Sequence, residues 1–225
     1  MLLRRIMFFF IGQFILTLGC SLIIKASLGA SPWEALAIGQ SQLWNLTIGT
    51  CAVINGVLVI LINSLILKKK PEILSVLTIF LTGSLIDFWL LIGLKNFAPQ
   101  NLIVQIMVVL TGIMILGIGV SIYLQAKFPA NPMDRLMQVI HERFGFSLRI
   151  AKLIAESFAL TLAFFFDGAI GMATVLVAFT TGYFIQFFYP KFEFLFYNTR
   201  QVLFKNEFTL FFVKLRSKKN TPLKT

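Results

Sequence analysis

Displaced by 100 residues, the sequence overlays itself. Gly12, Ile15, Leu16, Gly19, Ser21, Ala26, Ala30, Pro32 and Leu36 meet Gly112, Ile115, Leu116, Gly119, Ser121, Ala126, Ala130, Pro132 and Leu136. Farther on the offset is 99, and Val76, Leu77, Phe80, Thr82, Gly83, Ile86 and Phe88 meet Val175, Leu176, Phe179, Thr181, Gly182, Ile185 and Phe187. Apolar helices resemble one another in hydrophobicity, but not in the register of their glycines, serines and prolines, so the chain is a duplicated unit. Each copy holds three long apolar stretches. An odd number of crossings makes the second copy enter a membrane from the opposite side, an arrangement common in secondary transporters. The expected fold is therefore all-α, a polytopic bundle of six transmembrane helices built as two inverted three-helix repeats. Repeat 1 is assigned to residues 1–94 and repeat 2 to 95–190, each with three spans plus a short helix. Residues 191–225 form a basic, aromatic cytoplasmic tail.

Composition places the chain in a bilayer. It is 58% hydrophobic, carries 25 Phe and is only 13% charged, where soluble domains carry about 25% charged residues. The segments 6–24, 48–67, 73–94, 102–124, 149–166 and 170–189 are long enough to cross a hydrocarbon core of about 30 Å. The fifth is the shortest and most polar. With the N-terminus in the cytoplasm, all of the 20 Lys and Arg residues except Lys25 and Lys95 fall inside, counting Lys152 at a helix edge, which is a strong positive-inside bias. The expected location is the bacterial inner (plasma) membrane, multi-pass, with both termini cytoplasmic. The net charge of +11 then reads as a topology signal and an attraction to anionic lipid headgroups, not as nucleic-acid binding. A signal peptide is set aside for the first apolar run, because residues 12–36 have a counterpart deep in the chain. Cys20 and Cys51 lie in or beside apolar segments and read as small packing residues rather than a disulfide or metal site.

Between the first two spans runs Ala26-Ser27-Leu28-Gly29-Ala30-Ser31-Pro32-Trp33-Glu34-Ala35-Leu36, and Leu46-Thr47-Ile48-Gly49-Thr50 opens the second. These strings resemble the YczE/YyaS/YitT family of bacterial membrane proteins, most closely its YczE-like branch, over about residues 5–190. Glu34 stands where that family usually has Asp. The resemblance implies an integral membrane protein and says little about substrate. Physically the string is a broken helix: Gly29 permits the turn, Ser31 can cap, Pro32 suits the first helical position, and Glu34 sits in a first turn that favours a carboxylate. Ala130-Asn131-Pro132-Met133-Asp134 repeats this grammar, so Gly29, Pro32 and Pro132 mark the helix breaks. Residues 35–44 are apolar enough to dip into the membrane, whereas 135–144 look amphipathic and surface-lying. One reading makes both short helices interfacial connectors, with Trp33 and Trp44 as headgroup anchors. The other makes them paired half-helices whose N-termini approach a central site from opposite faces.

Ionisable groups at bilayer depth are costly and normally turned inward. Asp87, whose repeat mate is the neutral Gln186, and Glu156 are the candidates, together with Glu34, Asp134, Trp33 and Asn55 as substrate- or ion-binding residues. For Glu156 an ion pair with Lys152, four residues earlier, is the structural alternative. Asn55, Asn63, Gln13 and Gln105 equally suit interhelical hydrogen bonding. No catalytic or metal-ligating constellation is present: His141 stands alone, and no phosphate loop or nucleophile elbow occurs. No enzyme activity and no cofactor are expected. The tail carries Leu203, Phe204, Phe208, Phe211, Phe212 and Leu215 at helical spacing, the pattern of a helix lying in the inner interface. The function expected is a small secondary transporter-like permease for an unknown small-molecule or ion substrate, with its site between the repeats. A non-transporting membrane regulator or assembly factor, working through the cytoplasmic surface, is the alternative. A homo-oligomer is left open.

Overall fold

A computed structural model describes residues 2–129 and 131–197. The described residues form helices and contain no strand: α1 (Leu2–Lys25), α2 (Pro32–Trp44), α3 (Ile48–Leu67), α4 (Leu74–Phe88, prolonged by a π-helical turn over Trp89–Gly93), α5 (Leu102–Gln125), α6 (Pro132–Phe144), α7 (Leu148–Phe165) and α8 (Met172–Tyr197). The all-helical class agrees with the sequence. The expected interfacial tail falls largely outside the described residues, and its first part, 191–197, continues α8 past Pro190.

The count of spans differs from expectation. Among the described residues five helices are long and apolar enough to cross a membrane: α1, α3, α4 with its π-turn, α5 and α8. The segment expected at 149–166 is a helix, α7, but its sequence includes Arg149, Lys152 and Glu156. Lys152 and Glu156 line a cavity between the helices, so the helix loses hydropathy through residues that face that cavity. Its other buried face is a stripe of Ala151, Ala155, Ala159 and Ala163, one per turn, which lets neighbouring helices approach closely.

The offset of 100 residues recurs in backbone detail. α1 and α5 begin and end 100 residues apart, as do α2 and α6. Among the described non-glycine residues, positive φ occurs at Ser27 (57°), Asn45 (54°), Lys68 (52°), Lys127 (53°) and Asp167 (49°). Ser27 and Lys127 are repeat mates, Lys68 and Asp167 are mates at the offset of 99, and the mate of Asn45 is Gly145, at 73°. Left-handed backbone strains an L-residue by roughly 1–2 kcal/mol. Its recurrence at matched positions, under different side chains, means that chain geometry and not residue preference sets these turns.

α1 and α5 form the central seam. A Cβ added at Gly12 would meet Tyr123, at Gly19 Leu116, at Gly112 Ile23 and at Gly119 Leu16, each closer than 3.0 Å. As the position on α1 rises, that on α5 falls, so the two helices run antiparallel. Exchanging the copies turns the contact 12–123 into 112–23 and 19–116 into 119–16, so the seam is reciprocal. Around it the partners also match: α4 packs on α1 and α8 on α5, while α2 and α6 each pack on both α3 and α7. Polar links stay inside, as Thr82 Oγ1 donates to Gln13 Oε1 at 3.0 Å and Asn55 Nδ2 to Gln40 Oε1 at 2.7 Å. The outer surface carries exposed Leu61, Leu77, Phe80 and Phe179, a composition suited to hydrocarbon rather than water.

Candidate functional site

Each short helix starts where the sequence signals it. Ser31 is extended (φ −63°, ψ 160°) and Pro32 occupies the first turn of α2; Asn131 accepts a hydrogen bond from Met133 N at 3.2 Å and Pro132 opens α6. Gly29, at φ +107°, makes the turn into α2, and a side chain there would also strike Gly171. Glu34 and Asp134 therefore hold the same place in the first turns of α2 and α6, where helix-end partial charge favours a carboxylate.

Both first turns open on one cavity of about 410 Å³. Every long helix contributes to its wall: Leu16 and Cys20 from α1, Ile48 and Ala52 from α3, Thr82 from α4, Tyr123 from α5, Lys152 and Glu156 from α7, and Thr181 from α8. Residues of both copies are thus brought together. Each acid receives one donor from the long helix that precedes it in its own copy. Cys20 Sγ lies 3.7 Å from Glu34 Oε1, and Tyr123 Oη donates to Asp134 Oδ2 at 3.2 Å. Glu34 Oε2 is buried and has no hydrogen-bond partner. Asp134 is exposed and lines the cavity. Glu156 pairs with Lys152 at 3.5 Å.

The short helices lie outside the five long apolar spans, and their acids are affected chiefly by burial. Desolvation pushes the Glu34 carboxyl above the usual carboxylate range, against the lowering effect of its backbone and Cys20 hydrogen bonds, with the negative Asp134 and Glu156 adding to the rise. Desolvation likewise raises Asp134, outweighing the opposing attraction of Lys152 and the Tyr123 hydrogen bond. A carboxyl so held keeps its proton toward neutral pH.

The structure separates the residues singled out in the sequence. Glu34, Asp134, Glu156 and Trp33 line the cavity, with Pro32 at its edge. Asp87 does not: its carboxylate accepts from Thr47 Oγ1 at 2.6 Å and Gly49 N at 2.8 Å, so it ties the end of α4 to the N-terminus of α3. Asn55 is spent on Gln40, and Gln186 is exposed on α8. Pro132 is buried, and its carbonyl accepts from Asn63 Nδ2 at 3.1 Å. α6 is amphipathic as expected: Leu136, Val139 and Ile140 are buried against the bundle, while residues 141–144 are exposed. Tyr123 is a site residue that sequence reasoning did not single out, and Cys20, read there as a small packing residue, lines the cavity as well. Their separations of 11 and 14 residues from the acids are set by the turns between helices and follow no periodic signal.

The two short helices are secured by different chemistry. At α2, Ala30 N donates to Ala169 O and Ala173 N to Leu28 O, both at 2.9 Å, and Gly39 and Gly168 bring the backbones of α2 and the α7–α8 turn into contact. At α6, Arg135 reaches Glu72 Oε1 at 2.9 Å, tying the helix to the α3–α4 loop, and Glu142 Oε1 of the same helix at 2.8 Å. Among the described residues no group of three His, Cys, Asp or Glu could hold a metal ion.

A family model described as a family of unknown function (DUF6198) matches residues 3–190. Over 189 residues the chain is 34% identical to the uncharacterized protein YyaS of Bacillus subtilis (strain 168), a match that spans 84% of this chain and 94% of that protein. It is also 34% identical, over 193 residues, to the uncharacterized membrane protein YczE of the same organism, spanning 84% of this chain and 87% of YczE. An uncharacterized protein of Haemophilus influenzae is 32% identical over 175 residues, spanning 77% of this chain and 78% of its own length. No solved structure matches.

Proposed function

We propose that this chain, which belongs to the DUF6198 family, is a small secondary transporter-like permease whose substrate occupies the cavity between its two copies. That it is a membrane protein rests on its five long apolar helices and on the relative YczE, itself named a membrane protein. The finer architecture is part of the proposal: α7 is the sixth span, the copies are inverted about an axis in the membrane plane, and both termini lie in the cytoplasm of a bacterial plasma membrane. The antiparallel, reciprocal α1–α5 seam supports the inversion, since an axis relating antiparallel helices runs across them and not along them. The basic cytoplasmic face is proposed to rest on anionic headgroups.

The observation that carries the permease reading is the cavity itself. Irregular backbone at membrane depth is tolerated where it lines a cavity or is buried in protein, and the breaks before α2 and α6 both lead to this one. A bundle packed shut, with its polar residues gathered on one outer face, would have favoured a regulator or assembly factor. No catalytic role is assigned to the acids, whose geometry suits binding and proton exchange.

Accessibility tests the reading. Met137 lines the cavity, so a Met137→Cys variant with Cys20 and Cys51 replaced by Ala would be labelled with an impermeant thiol reagent applied from one side at a time. A permease exposes position 137 to each side in turn. Labelling from one side only, or from neither, with normal membrane insertion, would remove the permease function.

A further inference from the structure

The cavity has an excess of acid. Glu34, Asp134 and Glu156 face it against the single ammonium of Lys152. The N-termini of α2 and α6 each add about half a positive charge. With every acid ionised, roughly one negative charge is left without an answer. The shortage is sharpest at Glu34, where Oε2 is buried without a partner and the side-chain donor to Oε1 is a thiol at 3.7 Å. The rest of the wall is largely aliphatic, with Ile48, Ile79, Ile86, Leu116, Val177 and Ile185. The volume of about 410 Å³ falls in the range of small-molecule sites, about 300–1,000 Å³. A bare metal ion fits poorly, because the acids are too dispersed to chelate one.

From this arrangement we infer that the cavity takes a monovalent organic cation, its charged centre among Glu34, Asp134 and Glu156 and its apolar body against the aliphatic wall, in competition with a proton. The inference rests on the permease reading for its purpose but on the cavity alone for its chemistry. One positive charge, from either source, balances the site. Loading a proton releases the cation and losing the proton admits it, so opposed flows of the two follow from a single set of carboxylates.

The groups that face this centre come from every side: Cys20 on α1, Tyr123 on α5, Asp134 on α6, and Lys152 and Glu156 on α7. The lining residues of α3, α4 and α8 are uncharged. Burial holds the protons of Glu34 and Asp134 toward neutral pH. As pH rises through their raised range the carboxylates ionise, and affinity for a permanently charged cation increases.

Three probes of nearly one shape test the assignment on the purified full chain in lipid nanodiscs: choline, the neutral 3,3-dimethylbutan-1-ol, and 3,3-dimethylbutanoate. Calorimetric titration should show choline binding at least tenfold tighter than the alcohol, tightening with pH, and the acid binding weakest. Glu34→Gln and Asp134→Asn should each weaken choline binding about tenfold and flatten its pH dependence. The wild-type comparison stands even if a variant fails to fold. Choline bound no tighter than the alcohol, absence of binding included, or an affinity independent of pH, would overturn the assignment. Choline binding of the expected kind with position 137 labelled from one side only would keep the cation site and remove the permease. Labelling from both sides without cation preference would do the reverse.

Discussion

A carboxylate in an apolar chain needs donors, and the fold supplies them to both oxygens of Asp87 but leaves one oxygen of Glu34 without any. Thr47 and Gly49 satisfy both oxygens of Asp87, so its charge caps a helix and is turned away from the cavity. Asp87→Asn exchanges one acceptor for a donor facing donors, which should cost about 1–2 kcal/mol. The expected result is a lower thermal midpoint with the pH profile of cation binding unchanged; a displaced pH profile would return Asp87 to the mechanism. Tyr123 offers the opposite test. Its hydroxyl favours the charged form of Asp134, so Tyr123→Phe should raise that carboxyl further and move the half-maximum of choline binding to higher pH. The sequence made the acids conspicuous but not their partners. Nothing local distinguishes Asp87, whose donors arrive from 38 and 40 residues upstream, from Glu34, whose second oxygen meets none.

Helices read well from the sequence where one face packs against another helix of the same kind. The glycines of α1 and α5 recur because the seam is reciprocal and each copy must offer the same gap. Gly19→Val and Gly119→Val would drive side chains into opposing backbone. Each should destabilise the protein by about 1–3 kcal/mol or more, and by similar amounts, as read from thermal midpoints in detergent. The mates Gly83 and Gly182 should differ. A Cβ at Gly83 meets Gly49 O and Val53, whereas nothing lies within 4 Å of Gly182. Gly83→Ala is thus expected to destabilise and Gly182→Ala to be neutral, and equal effects would show that the copies are packed alike here. α7, expected from the sequence as the fifth span, falls outside the five long apolar helices of the described residues for a different reason. Its lining residues Lys152 and Glu156 belong to the cavity, and their polarity masks a helix whose other buried face is alanine. The cavity itself could not be read, since its wall is gathered from eight helices at no fixed spacing.

At the scale of the whole molecule, charge asymmetry predicts orientation. Lys69 should face the cytoplasm and Ala98 the exterior, so in intact cells an impermeant thiol reagent should label Ala98→Cys and spare Lys69→Cys. The reverse pattern would invert the bundle. The two short helices also differ in what holds them. α2 is laced to the α7–α8 turn by backbone hydrogen bonds and close glycines, and α6 is tied to the α3–α4 loop through the ion pair of Arg135 with the exposed Glu72. Mobile ions screen exposed charge pairs over a Debye length of about 8 Å at physiological strength, yet leave amide hydrogen bonds nearly untouched. Ionic strength is therefore a control that reaches only one of the two short helices: concentrated salt should weaken the Arg135–Glu72 tie of α6 and leave the backbone bonds of α2 in place, so two helices that open alike in sequence would answer their solvent differently.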